Sequence, residues 1–302
     1  MPMDPKTLVG TLIDRLAESY IFPDRAEAAA QLLRSRLASG AYSEDVGPTL
    51  CEQLSADLLA VCEDKHLRVL WHDDAEKSRD EAELVAAMLE QFQRENHGIQ
   101  RVELLEGNVG LIALTLVPSA SLAAEKLAAA MALVRHTDAL ILDLREARGG
   151  SPDGVAFLCS YFFSDDETHL NDVVEGPRGP TRQYWTSSHV PGARYLDRAV
   201  YVLTGPTTFS GGEELAYDLQ ALGRATLVGE PTRGGAHPSK IVSLDAHVEL
   251  RLPFARSLNP HTRDNWEGAG VQPDLHVPAV DACRTAHDAA LAALRSDISD
   301  LG

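Results

Sequence analysis

Apolar residues in the first third of the chain recur at helical spacing. Leu8, Leu12, Ile13, Leu16, Ala17 and Tyr20 share one face, and Pro23 stops that pattern. Ala26 to Leu37 forms a second amphipathic stretch, closed by Gly40, and Thr49 to Cys62 a third. Three short helices with brief connections predict a small bundle. The period then changes: His66 to Trp71 alternates like a strand, and Glu81 to Glu95 returns to helix.

From Val102 onward strands and helices alternate. Val109 to Leu114 reads as a strand, Ser121 to Arg135 as an alanine-rich helix, and Ala139 to Leu144 as a buried parallel strand, because it is apolar almost throughout. Gly154 to Phe163 is helical, Ala199 to Thr204 a strand, Glu213 to Leu222 a helix, and Ala225 to Val228 a strand. Ile241 to Val248 and Val248 to Phe254 have strand character, and Asp281 to Leu294 reads as a closing helix. The polar segment from Asp165 to Asp197, with Pro177, Gly179 and Pro180, predicts an irregular hairpin or loop. The expected fold class is α/β, with a helical N-terminal subdomain over 1–95 and an αβ domain over 96–302.

Composition narrows the partners. With 302 residues, 44% of them hydrophobic, the chain can build a substantial core without a disulfide or metal staple. A net charge of −18 argues against nucleic acid, whose phosphates need a basic face. Cys51, Cys62, Cys159 and Cys283 show neither paired nor zinc-type spacing, so no metal and no cofactor is expected. No apolar run is long enough to span a bilayer, so no membrane partner is expected, and Met1 to Arg15 lacks the apolar region of a secretory leader. The expected location is cytoplasmic.

The candidate chemistry centres on Phe209-Ser210-Gly211-Gly212-Glu213-Glu214, between an apolar strand and a helix. Two readings compete. Ser210 is a nucleophile at the positive end of a helix, beside amides that receive an oxyanion. Or it is the N-cap of a capping box in which Glu213 reaches back. Three more glycine-bearing loops stand out. Gly149 and Gly150 follow the strand ending at Asp143-Leu144, where ligand sites of parallel sheets lie, although a tight turn also uses paired glycines. Gly229 to Pro238 carries His237, and Trp266 to Asp274 carries Glu267. Asp64-Lys65-His66 sits where helices give way to the first strand. A loop histidine or a surface glutamate is unremarkable alone.

In their order along the chain these segments resemble one family of serine peptidases. It includes the C-terminal processing (tail-specific) proteases, the tricorn protease core and the modules of interphotoreceptor retinoid-binding protein. The shared series is Asp-x-His, then Asp-Leu-Arg-x-x-x-Gly-Gly, then Ser-Gly-Gly-Glu, then Gly-Arg-Ala-x-x-Val-Gly-Glu-Pro-Thr, then Glu-Gly-x-Gly-Val-x-Pro-Asp. The tail-processing branch uses a lysine base in the loop after Thr232, where this chain reads Arg233-Gly234-Gly235-Ala236-His237. Residues 95–109 are also too few for that branch's PDZ module. The chain therefore looks like the tricorn and retinoid-binding branch, although Lys65 stands where the tricorn pattern has a serine.

The resemblance implies a crotonase-like ββα superhelix and a serine hydrolase, in the first instance a peptidase. It implies Ser210 as nucleophile, His66 as base and Glu267 as support. Gly211 with Gly149 or Gly150 would form the oxyanion hole, and His237 is an additional candidate. The substrate is then a peptide or a small acyl ester or lactone. The competing class is a retinoid-binding-like module for an apolar ligand, for which Phe157, Tyr161, Phe162, Phe163, Tyr184 and Trp185 are candidate lining unless they belong to the core.

Overall fold

The computed structural model describes residues 3–73, 81–164, 167–176 and 179–300. In chain order the first elements are α1 (Pro5–Ser19), α2 (Pro23–Ala38), α3 (Pro48–Cys62), β1 (Arg68–Trp71) and α4 (Glu81–Arg94). Then come β2 (Ile99–Leu105), β3 (Val109–Leu114), α5 (Ala120–Val134), β4 (Ala139–Asp143) and α6 (Pro152–Cys159). They are followed by β5 (His169–Glu175), β6 (Thr181–Trp185), β7 (Ala199–Thr204), α7 (Gly211–Ala221) and β8 (Thr226–Gly229). The chain closes with β9 (Ser239–Asp245), β10 (Val248–Pro253), β11 (Ala255–Leu258), β12 (Leu275–His276) and α8 (Ala279–Asp300). Strands β5 and β6 fall in the polar segment read as a hairpin or loop, whose Pro177 lies outside the described residues. Contacts divide the chain into two compact units, one of residues 1–86, 173–182 and 237–257, the other of 87–172, 183–236 and 258–302.

The first unit holds α1 to α3. Asp4 caps α1 by accepting the Thr7 N–H at 3.1 Å, and α1 buries Leu8, Leu12, Ile13 and Leu16. Pro23 both ends the first pattern and opens α2, a position where its missing N–H costs nothing. The helices do not form a bundle by themselves. They share a core with an antiparallel sheet in the order β1-β10-β9, whose Val69, Val248, Leu250 and Leu252 meet Leu12, Leu33, Leu54 and Leu58. The helical period cannot reveal that partner, because β9 and β10 come from far along the chain.

The second unit is built on a six-stranded sheet in the order β12-β8-β7-β4-β3-β2. Strand β2 runs antiparallel to β3, and the other pairings are parallel. Alternate residues serve two cores. Ile112, Leu114, Leu140, Leu142, Val200 and Val202 face one, with Leu127 and Met131 of α5 and Leu215 and Leu219 of α7. Leu111, Ile141, Tyr201, Leu203 and Val228 face the other, with Ala282, Ala286 and Ala290 of α8. Burial on both faces is why β3 and β4 read as unbroken apolar runs. Tyr161 and Phe162 lie in the first of these cores, with Phe157, Phe163 and Tyr184 packed against it. Among the described residues no helix is long and apolar enough to cross a membrane.

Leu142, fully buried in β4, should be costly to truncate: Leu142→Ala is expected to lose about 2–5 kcal/mol. Leu133 of α5 is 75% exposed, and Leu133→Ala should stay within about 0.5 kcal/mol of the parent. Urea unfolding of the two variants checks both values.

Candidate active site

Parallel strands β4, β7 and β8 end at the same edge of their sheet, so the loops that follow them converge there. The loop after β4 is fixed by Asp143, which accepts from Arg145 Nε at 2.8 Å and Nη2 at 2.7 Å. The Ala147 carbonyl accepts the Phe209 N–H at 2.9 Å, and the Leu144 carbonyl accepts the Thr208 hydroxyl at 2.8 Å. The turn before α7 is thereby held to the turn after β4.

Ser210 sits at the head of α7 with φ 53° and ψ −120°. A serine in that region costs on the order of 1–3 kcal/mol of backbone strain and stays there only when its surroundings enforce it. Gly211 and Gly150 enforce it by close backbone contact: a methyl carbon placed on Gly211 would lie 2.6 Å from Gly150 Cα. Neither position tolerates a side chain, which explains the glycines better than flexibility does. Gly150 forms a parallel bridge with Val117 through the Gly149 carbonyl and the Ser151 N–H. In such a bridge the Gly150 N–H points away from Val117.

Glu213, fully buried, joins this turn to the loop after β8. Its Oε2 accepts the N–H groups of Ser210 at 2.8 Å and Gly235 at 2.9 Å. Its Oε1 accepts the Thr232 hydroxyl at 2.5 Å and the Gly234 N–H at 2.6 Å. Burial pushes its carboxyl up to about 7, against the pull of these four bonds. The capping reading of Glu213 thus holds through the Ser210 N–H, alongside three bonds that a cap does not require. Glu267 acts on the same loop, its Oε2 accepting the Ala236 N–H at 2.5 Å, and Trp266 Nε1 donates to the Gly235 carbonyl at 2.8 Å.

Ser210, Gly211, Gly149, Gly150 and Glu267 belong to the sheet unit, whereas His66 and His237 belong to the helical unit. Both histidines are tied to Asp64, which is fully buried. Asp64 Oδ1 accepts the His66 N–H at 3.0 Å, and Oδ2 pairs with His237 Nδ1 at 2.8 Å and accepts the Tyr20 hydroxyl at 3.2 Å. His237 is only 4% exposed and packs edge-on against Phe22. The sequence offered His237 as a loop histidine; the structure makes it a buried partner of a carboxylate 173 residues away. Asp64 itself carried no signal beyond its place in the Asp-x-His element.

Two further carboxyls lie under the site on α7. Glu214 and Asp218, one helical turn apart, are both buried; Glu214 accepts from Asn171 at 3.0 Å and Asp218 Oδ1 from Asn259 at 3.0 Å. Asp218 Oδ2 has no hydrogen-bond partner among the described residues. Burial raises both carboxyls, Glu214 to about 7, and their mutual repulsion pushes Asp218 further in the same direction.

Comparison with known proteins agrees with this architecture. Residues 108–277 match the sequence model of Peptidase family S41, and residues 4–104 match the N-terminal domain of that family in eukaryotic IRBP. The fold is similar to that of a candidate peptidase from Parabacteroides merdae, with a TM-score of 0.64, 19% identity, and coverage of 91% of this chain and 90% of that one. Mature CPAF gives a TM-score of 0.62 at 13% identity, covering 91% and 93%. The photosystem II D1 C-terminal processing protease gives 0.54 at 14% identity, covering 92% and 94%.

The acidic pair fixes a sign for stability. Carboxyls raised in the fold add stability that is complete below their unfolded pKa and is lost as pH rises through the folded one, here from about 4.5 to beyond 7 for Glu214. Asp218→Asn is expected to flatten that fall and to stabilise the protein at pH 8 by on the order of 1–3 kcal/mol. Thermal unfolding of parent and variant at pH 5 and pH 8 measures it.

Proposed function

Because the chain belongs to peptidase family S41 and is a serine peptidase, we propose that Ser210 is its nucleophile, His66 its general base and Glu267 a support of the loop beside Ser210. The observation that carries this reading is the enforced conformation of Ser210, a strained serine at a strand-to-helix turn.

The reaction follows from the groups. The Ser210 hydroxyl attacks the peptide carbonyl while the neutral His66 imidazole takes its proton. The N–H groups of Gly211 and of Gly150 or Gly149 receive the oxyanion, helped by the positive end of α7. Collapse expels the amine, which takes the proton back from the imidazolium, and water then hydrolyses the acyl-enzyme by the same exchange. Asp64 orients the His66 backbone and, through His237, braces the residues around it. Glu267 holds the Ala236 N–H and so the loop that Glu213 also grips.

Family membership favours a peptide over a small ester or lactone as substrate. The apolar-ligand reading draws little support, because Tyr161 and Phe162 are spent in the core and Trp185 stacks on His169 at 4.2 Å. A cytoplasmic setting belongs to the proposal, supported by four free thiols, three of them buried.

A fluorophosphonate probe should label Ser210 in the parent and leave Ser210→Ala unlabelled and inactive, with His66→Ala at least about 100-fold slower. Peptide turnover by Ser210→Ala at the parental rate would refute the assignment. Ser210→Gly should be inactive yet more stable, by about 1 kcal/mol, since glycine relieves the positive φ; denaturant titration reads the gain.

A further inference from the structure

A capping box needs one bond from Glu213, and the structure shows four. Two oxygens of one carboxylate meet four neutral donors, two from each oxygen's side. Three of those donors are backbone N–H groups, which cannot reverse. The fourth, the Thr232 hydroxyl, is itself constrained because it accepts the Val271 N–H at 2.7 Å. Such a constellation fits an ionised carboxylate. A proton on Oε2 would face two N–H groups; on Oε1 it would displace the Thr232 hydroxyl proton.

We propose that Glu213 is a positioning residue for catalysis: its negative charge clamps the Ser210 turn to the 232–235 loop, and loss of that charge slackens both at once. The proposal rests on Ser210 as nucleophile. It assigns Glu213 no contact with substrate.

The surroundings make the clamp sensitive to pH. On α7, Glu214 is turned to Asn171 and Asp218 to Asn259. In the 232–236 loop Arg233 lies over the Phe209 ring at 4.8 Å, and in the 266–270 loop Glu267 accepts from Ala236. After β4, Arg145 is bound to Asp143, and Arg148 approaches Glu146 at 3.6 Å. The four bonds to Glu213 all come from uncharged donors, so burial is opposed only by dipoles and the carboxyl titrates near neutrality. Above that pH the clamp is closed, and below it the clamp opens. Folding stability moves the other way: a carboxyl raised in the fold contributes most below its unfolded value and loses that contribution as pH rises toward 7. Acid should therefore weaken catalysis through Glu213 without unfolding the protein.

Amide proton shifts of Ser210, Gly234 and Gly235, followed by NMR across pH 5 to 9, test the proposal beside kcat and KM for a peptide substrate. In the parent and in Ser210→Ala the three amides should titrate together near pH 7, and in Glu213→Gln that shared transition should vanish. Glu213→Gln should lower kcat at pH 8 about tenfold or more, with KM within about twofold. Thr232→Val, which removes one donor and no charge, should move the shared midpoint and the acid limb of kcat upward by about half a pH unit or more. It supplies the test if Glu213→Gln does not fold. Independent titration of the amides, an unmoved midpoint in Thr232→Val, or parental kcat in Glu213→Gln would overturn the clamp while leaving Ser210 labelling intact. Parental turnover by Ser210→Ala would instead remove the nucleophile on which the clamp depends.

Discussion

An L-residue held at positive φ beside a tight backbone contact between Gly211 and Gly150 is the constraint on which the rest of this structure turns. Ser210 cannot relax toward an ordinary N-cap conformation without moving Gly211 away from Gly150. That contact in turn depends on β4 and β7 lying side by side and ending together, which the apolar sheet dictates. The strain is modest beside the burial of two apolar faces, so the fold can hold it. Core packing is thus linked to chemistry through one short turn.

Around that turn the polar groups divide the labour. Glu213 accepts the Gly234 and Gly235 N–H groups and Glu267 the Ala236 N–H, giving one loop a definite shape. Asp64 does the equivalent in the helical unit, where it fixes the His66 backbone and the His237 ring. Asp64 and Glu213 are buried and Glu267 is half-buried, and each acts on main chain or imidazole that local propensity alone would leave loose. Glu213 and Asp64 are fully buried acceptors with several donors each, so they set the shape of these loops, while the apolar cores carry the stability.

Much of this was legible in the sequence, for physical reasons. Strands β3, β4 and β7 announce themselves because burial on both faces demands unbroken apolar residues, and α1 to α3 because one buried face demands helical spacing. The Ser210 turn showed as a capping box and, with the ordered motifs around it, as a nucleophile position. The pairing of β1 with β10 did not show, since register between distant strands leaves no local period. Strand β2 is mostly exposed, so its first residues lack a clear alternation. The change of period near residue 95 is a linear signal, whereas contacts gather 173–182 and 237–257 with the helical unit. The Asp64–His237 pair and the three extra bonds of Glu213 are tertiary facts; nothing in the flanking residues encodes them. The positive φ of Ser210 was equally silent, because only glycine advertises that conformation.

On this reading the Ser210 turn forms the acyl-enzyme beneath the amides of Gly211 and its glycine neighbour. A crystal structure of the acyl-enzyme, trapped with a slowly hydrolysed peptide ester, tests it most directly. An ester bond to Ser210 Oγ is expected, with the carbonyl oxygen about 3 Å from the N–H of Gly211 and of Gly150 or Gly149. An acyl group on another residue, or a carbonyl oxygen turned away from those amides, would contradict it.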